Sequence, residues 1–164
     1  MGHPRGVDRI IEQWARERPD LDTTAMSIFG RVFRLAQVGG DEVARAYGRH
    51  GIGRPEFDVL ATLRRAGEPF QLSPGALAAS MMLSSGGTTA RLDRLEKAGL
   101  VRRAPDPHDR RGVLVSLTAE GREVTDRAVG AGLTEQRRLL AHLTAAQQRD
   151  LEALLRAALE PYET

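Results

Sequence analysis

The chain has 164 residues, 41% of them apolar but only 4% aromatic, enough for one hydrophobic core built mainly from Leu, Val and Ala, the usual materials of helix packing. It contains no cysteine, which excludes disulfides, thiolate zinc sites and a cysteine nucleophile; no apolar run approaches the roughly 20 residues that span a bilayer, so a cytoplasmic protein with no membrane contact is expected. Net charge is only +2, yet the basic residues are 23 Arg and a single Lys, Lys97, and their position matters more than their sum.

Val7 to Arg18 (VDRIIEQWARER) spaces Val7, Ile10, Ile11 and Trp14 as on an amphipathic helix ended by Pro19. Asp22, Thr23 and Thr24 are N-cap candidates for a longer helix through about Tyr47, with a kink expected at Gly39-Gly40. Pro55 opens a third helix with Phe57, Leu60 and Ala61 as its stripe and Gly67 as its stop. Ser73-Pro74 is a strong helix start. GALAASMM follows as a short helix, then a tight LSS turn and a second helix, Ser85 to Ala98, which Gly99 and Leu100 are placed to close.

LVRR and GVLVSLT then read as two strands, with Val113, Val115 and Leu117 on one face, joined by the loop PDPHDRRG. Thr118 caps a further helix to about His142. Thr144 to Gln147 forms a capping box for the last one, with Leu151, Leu154, Leu155 and Leu159 on its face. The predicted fold is mainly α with a small β-hairpin, and residues 1–164 are expected to form a single domain.

Short helix, turn, helix and a hairpin with a basic tip make a winged helix-turn-helix, in which a helix fits the major groove and a slender wing reaches the neighbouring minor groove. On a helical wheel Leu92, Leu95 and Thr88 define the buried side of the second helix, while Gly86, Gly87, Ala90, Asp93, Arg94 and Lys97 lie roughly opposite. The plainer reading is a solvated face with an Asp93–Lys97 pair. The hairpin that follows, with its two arginines, favours the sharper one, and the charge runs the same way: Ser84 to Arg111 carries a net +3 and Ala119 to Thr164 a net −2.

Leu83 to Gly121, LSSGGTTARLDRLEKAGLVRRAPDPHDRRGVLVSLTAEG, resembles the winged helix of MarR-family transcriptional regulators, whose wing carries an Asp-Arg-Arg signature. The resemblance implies a homodimer held by N- and C-terminal helices (residues 7–50 and 119–164) around the winged helix (55–118). It implies a pseudo-palindromic double-stranded operator, and repression relieved by a small ligand. Ser84, Ser85, Gly87, Thr88, Thr89 and Arg94 would meet DNA at the reading helix, and Arg110 and Arg111 at the wing tip, where a narrow minor groove attracts arginine. Asp109 would orient an arginine.

The extra N-terminal helix VDRIIEQWARERPDLD is similar to that of the MarR subgroup responding to urate and related small anions. That similarity implies an effector pocket for a small anionic or aromatic molecule, such as urate or an organic acid, at Trp14, Asp58, Arg91 and Arg103. The wheel puts Arg91 at the edge of the buried face, and alternation puts Arg103 on the inward side of its strand with Arg102 outward. An arginine at a core edge needs an anionic partner, and Asp58 is one candidate.

An enzyme is disfavoured. His3, His50, His108 and His142 are scattered, and neither a Gly-rich phosphate loop nor a nucleophile elbow is present, so no catalytic residue, metal or cofactor is expected. A winged helix used for dimerisation or protein contact without reading DNA is the alternative.

Overall fold

The structure, a computed structural model, describes residues 6–81 and 87–162, except the side chain of Arg110. Its elements are α1 (Val7–Glu17), α2 (Thr24–Gly48), α3 (Arg54–Arg65), β1 (Gln71–Leu72), α4 (Pro74–Ser80), α5 (Thr88–Lys97), β2 (Val101–Asp106), β3 (Asp109–Leu117), α6 (Ala119–Leu140), α7 (Ala145–Leu159) and a 3-10 turn at Glu160–Tyr162. The three strands form an antiparallel sheet in the order β1-β3-β2. The chain divides within α2 into two compact units, one ending at Glu42 and the other starting at Val43.

In the first unit α1 and the first part of α2 are amphipathic. Asp8 and Arg31 pair at 2.5 Å, Phe29 and Phe33 meet with centroids 5.8 Å apart, and Val7, Ile10, Ile11, Met26, Phe29 and Phe33 line an open apolar groove. The Asp22 carboxylate accepts the N–H of Thr24 at 2.9 Å, and the carbonyl of Thr23 accepts the first bond of the helix, from Ser27 N, at 2.9 Å. Gly39 and Gly40 do not break α2, which runs on as one helix.

The second unit holds the core. Leu60, Leu63, Leu77, Leu92, Leu95 and Val115 are fully buried, each of the leucines contributing roughly 1.5–3 kcal/mol by leaving water. On α3 Asp58, Val59, Leu60, Thr62 and Leu63 are buried, so of the expected stripe Leu60 is at the centre of the core, Phe57 packs against it half-buried, and Ala61 is half-buried. Phe57 instead stacks on Tyr47, with centroids 3.9 Å apart.

Caps set the element boundaries. Ser73 accepts the N–H of Ala76, and Thr144 and Gln147 make a reciprocal capping box. At the end of α5 Gly99 takes φ 73, its N–H donates to Glu96 O, and that of Leu100 donates to Leu95 O. This double closure needs a left-handed residue, which glycine adopts without a Cβ clash. Thr118 links α5 to α6: its N–H donates to Leu100 O, its hydroxyl donates to Gly99 O at 2.7 Å, and it accepts from Gly121 N.

The strands depart from expectation in two ways. β1, which the sequence does not signal, pairs Gln71 with Ser116 and Leu72 with Val115. Of the expected inward trio, Val115 and Leu117 are buried but Val113 is 40% exposed, because it lies where the hairpin leaves the core.

Candidate nucleic-acid interface

On α5 Leu92 and Leu95 face the core, leaving Thr89, Ala90, Asp93, Arg94 and Lys97 exposed and Thr88 and Arg91 half-buried. Gly87 is the N-cap, with φ 76. Ser84 and Ser85, expected at the start of this helix, lie outside the described residues, as does the turn between α4 and α5.

Arg94, expected as an outward basic residue, is exposed but paired. Its Nη2 donates to Glu56 Oε1 at 2.7 Å and its Nε to the same oxygen at 3.1 Å. Burial works to raise the Glu56 carboxyl, but the Arg94 hydrogen bonds, the backbone of Glu56 and the charges of Arg94 and Arg91 outweigh it and hold the group below the usual carboxylate value.

The wing is tied to α5 through Arg103. Its Nη1 donates to Glu96 Oε2 and its Nη2 to Asp93 Oδ1, both at 2.6 Å, while its backbone N–H donates to Glu96 Oε1 at 2.9 Å. The Asp93 hydrogen bond holds the guanidinium above its usual value against burial, with Glu96 adding to the effect. The carboxylates Arg103 pairs with come from α5 rather than from the candidate Asp58, and Asp93 is thereby engaged across to the wing. The i,i+3 spacing of Asp93 and Glu96 puts both on one face of α5, a signal present in the sequence. Arg102 points the other way, as expected, and donates to Ser116 Oγ at 3.1 Å.

At the tip the ladder is uneven. Pro105 pairs with Val113 and Asp106 with Asp109, so β3 advances four residues while β2 advances one. Arg110, Arg111 and Gly112 are thereby thrown out as a bulge, the usual device for re-aiming side chains at a sheet rim. Asp109 Oδ1 accepts the N–H of Arg111 at 3.0 Å, and Asp106 Oδ1 accepts that of His108 at 2.8 Å. A Cβ on Gly112 would lie 2.8 Å from Asp106 Cβ and 3.0 Å from Asp109 Cβ, so only glycine lets both aspartates fold beneath the bulge. Asp109 thus orders arginine-bearing backbone, and His108 sits exposed in the turn. Among the described residues no group of His, Asp and Glu could hold a metal ion.

The four residues of the expected effector pocket lie on four elements: α1, α3, α5 and β2. Trp14 is 40% exposed on α1, in the first unit. Asp58 is buried on α3, Arg91 half-buried on α5, and Arg103 held by Asp93 and Glu96. Glu56, 38 positions from Arg94, carried no local signal that would have assigned it to the reading head.

A helix that presents Arg94 and Lys97 outward, followed by a hairpin wing whose tip bulges at Arg111, defines a winged helix-turn-helix transcriptional regulator. Residues 50–112 match the MarR family. The HTH-type transcriptional regulator PecS of Dickeya dadantii is 37% identical over 149 residues, 91% of this chain and 90% of its own. The multiple antibiotic resistance protein MarR of Escherichia coli is 33% identical over 134 residues, 79% of this chain and 90% of its own. The chain belongs to the MarR family. Among solved structures, a mutant MarR from E. coli complexed with operator DNA superposes with a TM-score of 0.70 at 29% identity, over 84% of this chain and 97% of that one. A MarR family transcriptional regulator from Streptomyces coelicolor in complex with DNA gives 0.76 at 26%, over 88% and 91%. No helix among the described residues is long and apolar enough to cross a membrane.

Proposed function

We propose that two copies of this chain bind a pseudo-palindromic double-stranded operator in the cytoplasm, α5 in the major groove and the wing in the minor, and that a small effector relieves the repression. The observation that carries this reading is the joining of the two basic surfaces by Arg103, which fixes the wing to the helix it flanks. Ser84, Ser85, Gly87, Thr88, Thr89 and Arg94 are the proposed contacts at the helix, and Arg110 and Arg111 at the wing. Exposed apolar side chains on the flanking helices, Phe29 and Phe33 on α2 and Leu154 and Leu159 on α7, support a dimer formed by residues 7–50 and 119–164, since apolar surface on this scale usually meets a partner.

Fluorescence anisotropy with labelled operator tests the DNA contact. Arg111→Ala is expected to weaken binding about tenfold or more and to lower the slope of log K against log salt by about one. Binding and slope equal to wild type would remove the wing from the interface.

For the effector, the resemblance of the N-terminal stretch 7–22 to that of the subgroup responding to urate and related anions supports a small anionic or aromatic ligand, with Trp14, Asp58, Arg91 and Arg103 as the responding residues. An anion engaging Arg103 would compete with Asp93 and Glu96, both on α5, so effector binding and DNA reading would draw on one guanidinium. Urate, xanthine and phenolic acids are the first ligands for a thermal-shift screen. An active one at 100 times its dissociation constant should stabilise the protein by about 2.7 kcal/mol, and the gain should shrink in Trp14→Ala and Arg91→Ala. Stabilisation unchanged in both variants sinks the residue assignment.

A further inference from the structure

Glu56 occupies the third position of α3, after Gly53 as N-cap, Arg54 and Pro55. Its carboxylate folds back over the helix start: a Cβ on Gly53 would lie 2.6 Å from Oε2. There the amide dipoles favour a negative charge. The other oxygen, Oε1, takes Nε and Nη2 of Arg94. The acid side chain is only 19% exposed whereas that of the arginine is 59% exposed, so the acid is the fixed member of the pair and the arginine the member it holds.

A guanidinium can present a side edge, Nε with Nη2, or an end, Nη1 with Nη2. Glu56 occupies the side edge. We propose that Glu56 is a positioning residue for base reading, holding Arg94 so that its Nη1–Nη2 end is offered to the O6 and N7 of one guanine. The inference rests on α5 being the DNA-reading helix, and it adds which edge is read and what aims it.

Charge separates this role from phosphate anchoring. The Arg94–Glu56 pair is neutral overall, and a carboxylate beside the guanidinium repels an approaching phosphate, whereas guanine offers uncharged acceptors. The pair therefore gives up sequence-independent attraction and keeps discrimination. A side chain already fixed also loses less rotamer freedom on binding.

The test uses the full chain and the duplex that wild type selects from random DNA, altered one base pair at a time. Arg94→Ala and Glu56→Ala should each flatten the preference at the same base pair, about tenfold or more, and the double variant should lose nothing further there. Glu56→Gln keeps an acceptor for the arginine; it should retain that preference while binding unrelated DNA more tightly at low salt, which a merely structural role would not produce. A Glu56→Ala protein that keeps the preference while Arg94→Ala loses it overturns the positioning role and leaves the DNA-reading helix intact. Stronger operator binding by Glu56→Ala with its preference unchanged would make Glu56 a mask and also overturns it. If Arg94→Ala flattens no position, the base contact assigned to Arg94 fails, and the role of Glu56 with it.

Discussion

Gly121→Ala is expected to destabilise the protein by at least about 3 kcal/mol, seen as a fall in the urea midpoint with little change in slope. A Cβ there would lie 1.9 Å from Leu100 O and 2.8 Å from its carbonyl carbon, and both atoms are backbone. Neither side can yield cheaply. Leu100 O accepts from Thr118 N at 3.1 Å, the N–H of Leu100 closes α5 on Leu95, and the Thr118 hydroxyl holds Gly99 O. Moving α6 away would therefore undo its own cap and the end of α5 together. Gly130, also on α6, has nothing within 4 Å of the same added atom, so Gly130→Ala should stabilise by up to about 1 kcal/mol through helix propensity. Equal melting of Gly121→Ala and wild type would mean that α6 does not pass against Leu100.

The second large effect is expected at Arg103. Arg103→Ala removes the fork that spans Asp93 and Glu96 and leaves those two carboxylates unneutralised on the face of α5 next to the wing. Operator affinity should fall about 10- to 100-fold, from lost wing placement and from repulsion of phosphate. Thermal stability should fall by roughly 1–2 kcal/mol, because the arginine side chain is only 27% exposed and its hydrogen bonds are charge-assisted. Arg103→Lys should recover part of the loss, as an ammonium keeps the charge without the planar fork that reaches both acids. Arg102→Ala, which gives up one hydrogen bond to Ser116, is the neighbouring control. Wild-type affinity in Arg103→Ala would show that wing and helix are placed independently.

Much of the scaffold was legible because its punctuation is local. Ser73, Gly99, Thr118 and Thr144 each act within four residues of where the chain must turn, so residue type alone indicates the geometry. The hairpin showed for the same reason. β1 did not, since two residues carry no periodicity and Gln71–Leu72 become a strand only by meeting β3. The glycine pair Gly39-Gly40 stays within α2 despite a propensity cost of about 1 kcal/mol per glycine. At the reading head the residue types were visible but their pairings were not. Arg103 lies 10 positions from Asp93, and Arg94 lies 38 from Glu56, and which carboxylate reaches which guanidinium depends on how α3, α5 and β2 pack. Resemblance supplied the candidates; it could not say that Arg103 already has two anionic partners.

The uneven wing makes its tip a replaceable part. In a regular hairpin, adding or removing one residue slides the pairing and turns every side chain below it to the opposite face, which here would bring Val115 out of the core. Three residues of β3 already stand outside the count between Val113 and Asp109, so the stem keeps its alternation when residues are added ahead of Gly112, whose close contacts with Asp106 and Asp109 stay in place. Reach into the groove and the spacing of the two arginines can therefore be altered, by evolution or by design, while the stem and the core beneath it stay as they are.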